Sequence, residues 1–312
     1  MKPDLRPLSD EKWNVDIIVS QLRQVRDRSL SARQREGRHE KLPSRKNLTT
    51  IVEHLGMAIF PNRLGIRDRV HGNIDYFVGH LLDVTLSELA EEVLHEFDFF
   101  DLHQVDPAVH RERAVNVVRE FADSLPRIRE LLESDIQAAF EGDPAARSED
   151  EVLVCYPGIT AILHYRMAHE LFRLGATLVA RMMTEIAHSL TGVDIHPGAT
   201  ISGSFFIDHG TGVVIGETAV IGEHVRIYQA VTLGAKRFPT DENGVLLKGD
   251  ARHPIVEDGV VIYAGATILG RVKIGRNSVI GGNVWLTSSV PPGSNITQAK
   301  VRHEIFDAGS GI

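Results

Sequence analysis

The chain has 312 residues, of which 43% are hydrophobic and 24% are charged, a balance typical of a folded globular protein. Its formal net charge of −8 argues against the basic surface that nucleic-acid binding requires, and no apolar run approaches the roughly 18 residues of a membrane span. The single cysteine, Cys155, excludes an internal disulfide and a multi-cysteine metal site, and the first residues have no signal-peptide core, so we expect a cytoplasmic protein.

Residues 1–192 carry the apolar spacing of helices. The last repeat of this kind ends at Thr191-Gly192, which is a helix stop signal. We therefore predict an all-helical N-terminal domain over 1–192. Cys155 lies in the apolar stretch VLVCYPG with no neighbouring cation, so we expect it to be buried.

After Gly192 the apolar period becomes six, and a second small or aliphatic residue stands two positions before most members of the series. Such repeats predict a left-handed parallel β-helix over 193–290, in which three hexapeptides form one triangular coil. The predicted fold class is therefore α+β, a helical domain followed by a β-helix of four to five coils. The inward positions are Ile195, Ile201, Ile207, Ile215, Ile221, Ile227, Leu233, Val256, Ile262, Ile268, Ile274, Ile280 and Leu286.

The six-residue register breaks at two places. Between Ile207 and Ile215 the spacing is eight, and after Leu233 a loop at 235–252 leaves the coil. A repeat protein tends to depart from its repeat where function demands it, and histidines stand at both departures. The residues with chemistry around these breaks are Asp194, His196, Asp208, His209, Glu217, Arg252 and His253.

His209 is the candidate general base. It stands fifteen residues after Asp194, one eighteen-residue coil shortened by three, which predicts neighbouring coils and a carboxylate–imidazole hydrogen bond. A histidine held in this way is the usual general base, and the ordinary histidine pKa of about 6.5 suits proton abstraction at neutral pH. His196 precedes a proline and fits either a site residue or a turn residue. His224, on a regular coil, is expected to be a polar surface residue.

The motifs DIHPGA, FFIDHGTGVVIGETAVIG, VTLGA, ARHP and VIYAGATILG closely resemble the serine O-acetyltransferases of the hexapeptide-repeat superfamily. The resemblance runs from about Asp143 to Val290. It implies transfer of acetyl from acetyl-CoA to the hydroxyl of L-serine, giving O-acetylserine for cysteine biosynthesis, without a metal. Residues 141–192 would then adjoin the active site.

The resemblance also implies a role for each matching residue. His209 matches the catalytic histidine and Asp194 the aspartate paired with it. Two further carboxylates would hold the substrate amino group, and an Arg-His pair would contact the substrate carboxylate and the reaction centre. Acyl-CoA would lie along the β-helix against small residues. The two carboxylates are Asp143 and Asp208, and the Arg-His pair is Arg252 and His253. The small residues along acyl-CoA are Gly234, Ala235, Ala264 and Gly282.

Several partners follow from the same resemblance. L-cysteine is expected to inhibit as the end product, and the chain to form homotrimers with active sites between neighbouring β-helices, or dimers of trimers. The segment 291–312 is expected to be a flexible tail ending HEIFDAGSGI. Because family members end with an isoleucine that enters O-acetylserine sulfhydrylase, Ile312 is expected to anchor that enzyme.

Two alternatives remain. The first is a hexapeptide acyltransferase for another hydroxyl or amine, such as homoserine or a sugar; carboxylates and an arginine placed for an α-amino acid disfavour a sugar. The second is a zinc carbonic anhydrase on the same β-helix, which needs three histidines, two of them close in sequence. The solenoid histidines, at 196, 209, 224 and 253, contain no such close pair.

Overall fold

A computed structural model of the chain describes residues 13–32, 41–65, 74–100, 105–237 and 249–298. Ile312, the predicted anchor for the sulfhydrylase, lies outside these residues. The chain divides into two compact units, residues 1–41 and 42–312, and the described part of the first unit is dominated by one helix. Among the described residues, no helix is long and apolar enough to cross a membrane. That first helix is α1 (Val15–Ala32).

The second unit begins with helices, as the apolar spacing predicts. The last of them ends at Gly192, whose left-handed backbone (φ +71°) lets its N–H bond to the carbonyl of His188. Thr191-Gly192 is therefore the predicted stop. The helices are α2 (Arg45–Ile59), α3 (Pro61–Leu64), α4 (Ile74–Phe100), α5 (Pro107–Gly142), α6 (Glu149–Cys155), α7 (Pro157–Arg173) and α8 (Thr177–Thr191).

The prediction that Cys155 is buried is wrong. Cys155 is exposed at the C-terminal end of α6, next to Val154, which is exposed as well. The buried face of this short helix is made by Val152 and Leu153. Because a helix turns 100° per residue, two further residues carry the chain round to the solvent side. An apolar run in a helix does not mean that every member is buried.

Short parallel strands follow the helices and form three sheets, which we call A, B and C. Successive strands visit the three sheets in turn, so three strands make one coil of the predicted β-helix. Sheet A has the order β1-β4-β7-β10-β13, sheet B β2-β5-β8-β11, and sheet C β3-β6-β9-β12-β14. The strands are β1 (Asp194–Ile195), β2 (Thr200–Ile201), β3 (Phe206–Ile207), β4 (Val214–Ile215), β5 (Val220–Ile221), β6 (Arg226–Ile227), β7 (Thr232–Gly234), β8 (Ile255–Val256), β9 (Val261–Ile262), β10 (Thr267–Leu269), β11 (Lys273–Ile274), β12 (Val279–Ile280), β13 (Trp285–Leu286) and β14 (Asn295–Ile296).

The solenoid core consists of the predicted inward residues. All thirteen are at most 8% exposed, and so are the small or aliphatic residues two positions before them. The fold class is therefore confirmed. The last strand, β14, pairs with β12 although it lies in the segment 291–312 that the sequence assigns to the tail.

The strand register measures the length of each coil. Asp194 pairs with Val214, twenty residues later, whereas Val214 pairs with Thr232, eighteen residues later. The two extra residues of the first coil are the irregularity around His209. Across the predicted loop, Val220 pairs with Ile255, thirty-five residues later, so the loop adds seventeen residues without shifting the register.

A buried polar cluster joins the helices to the first coil. The guanidinium of Arg166 in α7 makes a two-pronged bond to the carboxylate of Asp135 in α5, with N–O distances of 2.6 and 2.8 Å. It also donates to the carbonyl of Ile201, while Asp135 accepts from the backbone N–H of Phe205. Both side chains are almost completely buried. The cluster fixes α5 and α7 against Ile201 in β2 and against Phe205, which directly precedes β3.

Candidate active site

The candidate residues lie at two corners of the triangular coil. We call corner CA the turn from a sheet C strand to the sheet A strand of the next coil, and corner AB the turn from sheet A to sheet B. His209 directly follows β3 and stands at corner CA. His253 directly precedes Pro254 and β8, and stands at corner AB.

The register break at corner CA turns His209 outward. Its backbone is left-handed (φ +59°), a conformation that few non-glycine residues adopt, and its side chain is 72% exposed. Gly210 follows, also left-handed; a Cβ there would lie 2.9 Å from a methyl group of Val193. The imidazole Nε2 is 3.8 Å from Oδ1 of Asp208. The two extra residues of the first coil thus place the imidazole of His209 and the carboxylate of Asp208 side by side at corner CA.

Asp208 is held by an arginine from the next coil. Nη2 of Arg226 donates to its Oδ2 at 2.6 Å, and Nη1 of the same arginine donates to the carbonyl of Gly142, also at 2.6 Å. The guanidinium lies over the ring of Phe206. Arg226 therefore ties Asp208 to the end of α5 and leaves Oδ1 on the side of His209.

Asp143 follows α5 directly and joins the same corner. The hydroxyl of Tyr156 donates to its Oδ2 at 2.6 Å, and the N–H of Ala145 donates to its Oδ1 at 2.8 Å. These hydrogen bonds, the one from Tyr156 first, lower the pKa of Asp143. The same bond raises the pKa of Tyr156 to about 12. Asp143 is therefore a fixed carboxylate near Asp208 and His209.

His253 is the centre of corner AB and is 7% exposed. Its Nδ1 accepts from the backbone N–H of Thr218 at 3.0 Å and lies 2.9 Å from the Thr218 hydroxyl. Its ring lies against Gly216, where a Cβ would come within 2.1 Å of the imidazole. Burial first, and the neighbouring Arg252 second, lower the pKa of His253 to about 4. The ring is therefore neutral at neutral pH.

Arg252 and His196 complete corner AB. Nη2 of Arg252 donates to Oε2 of Glu217 at 2.6 Å. His196, one coil below Glu217 and two coils below Arg252, accepts the N–H of Gly198 at its Nδ1 and meets the ring of Phe172 edge-on. Burial lowers its pKa. His196, which the sequence left open, lies in this cluster of charged and imidazole groups.

The predicted placement of Asp194 and His209 on neighbouring coils is wrong. Because the first coil has twenty residues, Asp194 lies at its start and His209 at its end, not on neighbouring coils. Within the described part of the chain, Oδ1 of Asp194 lies 3.7 Å from Nη1 of Arg181, and the carboxylate within 4 Å of His209 is that of Asp208. The pairing of Asp194 with His209 stays a prediction.

The predicted CoA contacts lie at both corners. Gly234 ends β7 and Ala235 follows it, at the corner AB of the third coil. At corner CA, the N–H of Asn283 donates to the carbonyl of Ala264, so the turns of Ala264 and Gly282 stack two and three coils above His209. Small residues therefore line corner AB in the coil of His253 and corner CA above His209.

Sequence comparisons identify the family. Residues 253–288 match the family described as bacterial transferase hexapeptide (six repeats). Over 317 aligned positions, covering 99% of both chains, this chain is 52% identical to the plasmid serine acetyltransferase of Synechococcus elongatus. The chain belongs to the serine acetyltransferase family. The predicted activity, transfer of acetyl to serine, is thereby confirmed.

Solved serine acetyltransferases share the architecture. This chain is 38% identical to serine acetyltransferase 1 of Entamoeba histolytica in complex with L-cysteine, over 79% of this chain and 86% of that one, with a TM-score of 0.71. It is 28% identical to a serine acetyltransferase in complex with CoA, over 79% and 95% of the two chains, with a TM-score of 0.51. Both solved enzymes therefore share the fold of this chain over most of its length.

In this serine acetyltransferase, sequence reasoning missed three residues that hold candidate groups. Tyr156 lies between two helices and carries no periodic signal. Arg226 stands in a strand among other polar surface residues, and only its bond to Asp208 distinguishes it. Thr218 is one turn residue among many, and only its contacts with His253 distinguish it.

Proposed function

We propose that serine is acetylated by acetyl-CoA at a site shared between two copies of the chain, corner CA of one and corner AB of the next. The observation that carries this proposal is the separation of the candidate residues. His209 with its two carboxylates, and His253 with Arg252, belong to different corners of one solenoid, with sheet A between them. A second copy brings the two sets face to face.

A ring of three copies satisfies this requirement. A contact between two different patches of the same chain forms either a closed ring or an open filament. The corners of a triangular solenoid are related by about 120°, so a ring built on this contact closes with three copies. Sheet A then faces the inside of the ring. It carries exposed apolar side chains that such a ring would cover, among them Trp285, 70% exposed, and Val214.

The shared site fits a zwitterionic amino acid. Asp143 and Asp208 supply negative charge for the ammonium group, and Asp143 stays ionised because its hydrogen bonds lower its pKa. Arg252 supplies the cation for the carboxylate, since a guanidinium bound to Glu217 keeps further N–H donors. Opposite charges at two fixed ends orient the substrate hydroxyl between them.

The chemistry then needs one base and one donor. His209, exposed at the corner, removes the hydroxyl proton of serine as the oxygen attacks the thioester carbonyl. The N–H at Nε2 of His253 hydrogen-bonds the resulting oxyanion. When the C–S bond breaks, the proton on His209 passes to the sulfur, which leaves as the thiol of CoA. Asp194 would orient His209 across the assembled site.

Acetyl-CoA would occupy the groove between the two facing corners, above His209. Gly234 and Ala235 on one copy face Ala264 and Gly282 on the next, where small residues leave room for the pantetheine arm. The complex of a related enzyme with CoA supports this co-substrate.

L-cysteine should compete with serine for the same site. It carries the same ammonium and carboxylate groups, and a relative has been solved with L-cysteine bound. Initial rates at several fixed cysteine concentrations should give lines that differ in the KM for serine and share one kcat. Inhibition that lowers kcat at saturating serine would contradict a shared site.

Mixing inactive variants tests the shared site. His209→Ala and His253→Ala chains should each be inactive alone. Co-expressed in equal amounts, they form some interfaces with one intact corner CA and one intact corner AB, about a quarter of all sites by random assembly. Activity should therefore return to about a quarter of wild type. A site built within one chain would give no recovery, because every chain then lacks one histidine.

The acceptor is tested directly. CoA release should be fast with L-serine and slow with homoserine or common sugars, because a longer side chain or a missing charge misplaces the hydroxyl. The zinc alternative is tested by metal analysis of the purified protein, which should show no zinc in proportion to the chain.

A further inference from the structure

We infer that Thr218 and Gly216 fix His253 as an Nε2–H donor facing the reaction centre, and are therefore positioning residues for the reaction. The inference rests on the proposed function for its role, but the protonation pattern it assigns can be measured without substrate.

The hydrogen bonds of Thr218 decide which nitrogen of His253 carries the proton. A backbone N–H can only donate, so Nδ1 of His253, 3.0 Å from the N–H of Thr218, must be the unprotonated acceptor. The Thr218 hydroxyl lies 2.9 Å from the same nitrogen. A neutral imidazole with Nδ1 unprotonated carries its single hydrogen on Nε2.

The same hydroxyl also holds the backbone that presents the ring. Oγ1 of Thr218 accepts the N–H groups of Arg252 and His253, at 2.9 and 3.1 Å. Since its two acceptor positions are filled in this way, its own hydrogen is directed to Nδ1 of the imidazole. Arg271, one coil above, donates to the carbonyls of Thr218 and His253 and closes the cluster.

Gly216 supplies the space for the ring. A Cβ at this position would lie 2.0 Å from Cδ2 and 2.1 Å from Nε2 of His253, so only glycine allows the imidazole to rest here. Within the described residues no acceptor is bonded to Nε2, which is left for a substrate atom.

The surrounding charges keep the ring neutral. Arg252 on its own turn and Arg271 from the coil above disfavour the imidazolium, as does His196 from the first coil, whereas Glu217 favours it. Burial outweighs the carboxylate, and the pKa of His253 is lowered to about 4. A donor that is neutral throughout the working pH range needs no proton change during the reaction.

Nitrogen NMR of unliganded protein labelled with ¹⁵N-histidine tests the assignment. At pH 7, His253, identified by its loss in His253→Gln, should show an unprotonated Nδ1 and a protonated Nε2. Thr218→Val keeps the backbone N–H but removes the hydroxyl, so Nδ1 should stay unprotonated while its resonance shifts with the loss of one of its two hydrogen bonds, and Thr218→Ser should restore the wild-type position. A proton on Nδ1 in the wild type, or a spectrum unchanged by Thr218→Val, would overturn the inference whether or not serine is the substrate.

Kinetics test whether this pattern matters for catalysis. Removing an oxyanion donor lowers kcat about 10²–10³-fold, so Thr218→Val should lower kcat by about ten- to a hundredfold with the KM for serine nearly unchanged. Gly216→Ala should resemble His253→Ala. In the His253→Gln background, Thr218→Val should have no further effect. An equal loss of kcat in both backgrounds would show that Thr218 does not act through His253.

Discussion

The hydroxyl of Tyr156 donates a 2.6 Å hydrogen bond to Oδ2 of Asp143, and this bond fixes a carboxylate of the helical domain beside corner CA of the β-helix. Tyr156 precedes α7, whose second residue, Gly158, lies so close to β3 that a Cβ would come 2.3 Å from the carbonyl of Ile207. The contact between helix and strand therefore sets where the carboxylate of Asp143 stands relative to Asp208.

Tyr156→Phe should weaken serine binding. The loss of a hydrogen bond to a charged group is worth about 1.5–3 kcal/mol, so the KM for serine should rise by about ten- to a hundredfold while kcat changes little. Because the bond lowers the pKa of Asp143, its removal raises that pKa, and binding should begin to fail at a higher pH on acidification. The KM for acetyl-CoA serves as the internal control. An unchanged KM for serine would exclude Asp143 from the ammonium site.

His209→Asn should abolish most turnover without harming the fold. Asparagine tolerates the left-handed backbone at this position, so the variant isolates the loss of the base from any backbone strain. General-base catalysis contributes roughly 10²–10⁴-fold, and kcat should fall accordingly. Circular dichroism and thermal unfolding check the fold. A variant that keeps more than about a tenth of the wild-type kcat would exclude His209 as the base.

Breaking the buried pair between α5 and α7 should destabilise the protein. Arg166→Met leaves the carboxylate of Asp135 without its cation, and such losses typically cost about 3–5 kcal/mol. Urea unfolding of the wild type and of Arg166→Met measures the difference in the free energy of unfolding. The double variant Asp135→Leu with Arg166→Met should recover much of the loss, because no charge is then buried alone. Equal unfolding midpoints for wild type and Arg166→Met would refute the role of this pair.

His253 should make stability depend on pH. Its pKa is about 4 in the folded chain against 6.5 for an unperturbed histidine, so between these values the unfolded chain binds more protons. The free energy of unfolding should therefore fall as pH drops from about 6.5 to 4, by up to about 1.4 kcal/mol per pH unit from this group. His253→Gln removes that contribution and should flatten the slope. Identical slopes would contradict a neutral, buried His253.

The core of the β-helix could be predicted from the sequence because each coil demands an aliphatic residue at every third of a turn. A periodic requirement leaves a periodic signal, from Ile195 to Leu286. The end of the solenoid was harder to predict, because β14 breaks the period: Val279 pairs with Asn295, only sixteen residues later. The six-residue pattern of apolar residues therefore stops predicting strands where a coil is shorter or longer than the repeat.

The candidate site could be predicted only as a set of residues, not as an arrangement. His209 and His253 stand out because they lie at register breaks. Their assignment to two corners, however, depends on how many residues each coil contains. The first coil has twenty residues, two more than the repeat, and this places Asp194 and His209 on the same coil. The supporting contacts of Tyr156 and Arg226 arise from packing between elements that are distant in sequence, which no local pattern encodes.

The loop at 235–252 inserts seventeen residues between two strands whose neighbours pair as if it were absent. Val220 still faces Ile255, and Thr232 still faces Thr267. Hydrogen-bonded strands in adjacent coils lie about 4.8 Å apart, so β8 takes the position next to β5 that it would also take without the loop. Segments of other lengths can therefore be grafted between Ala235 and Arg252, to alter access to Arg252 and His253 while the solenoid keeps its register.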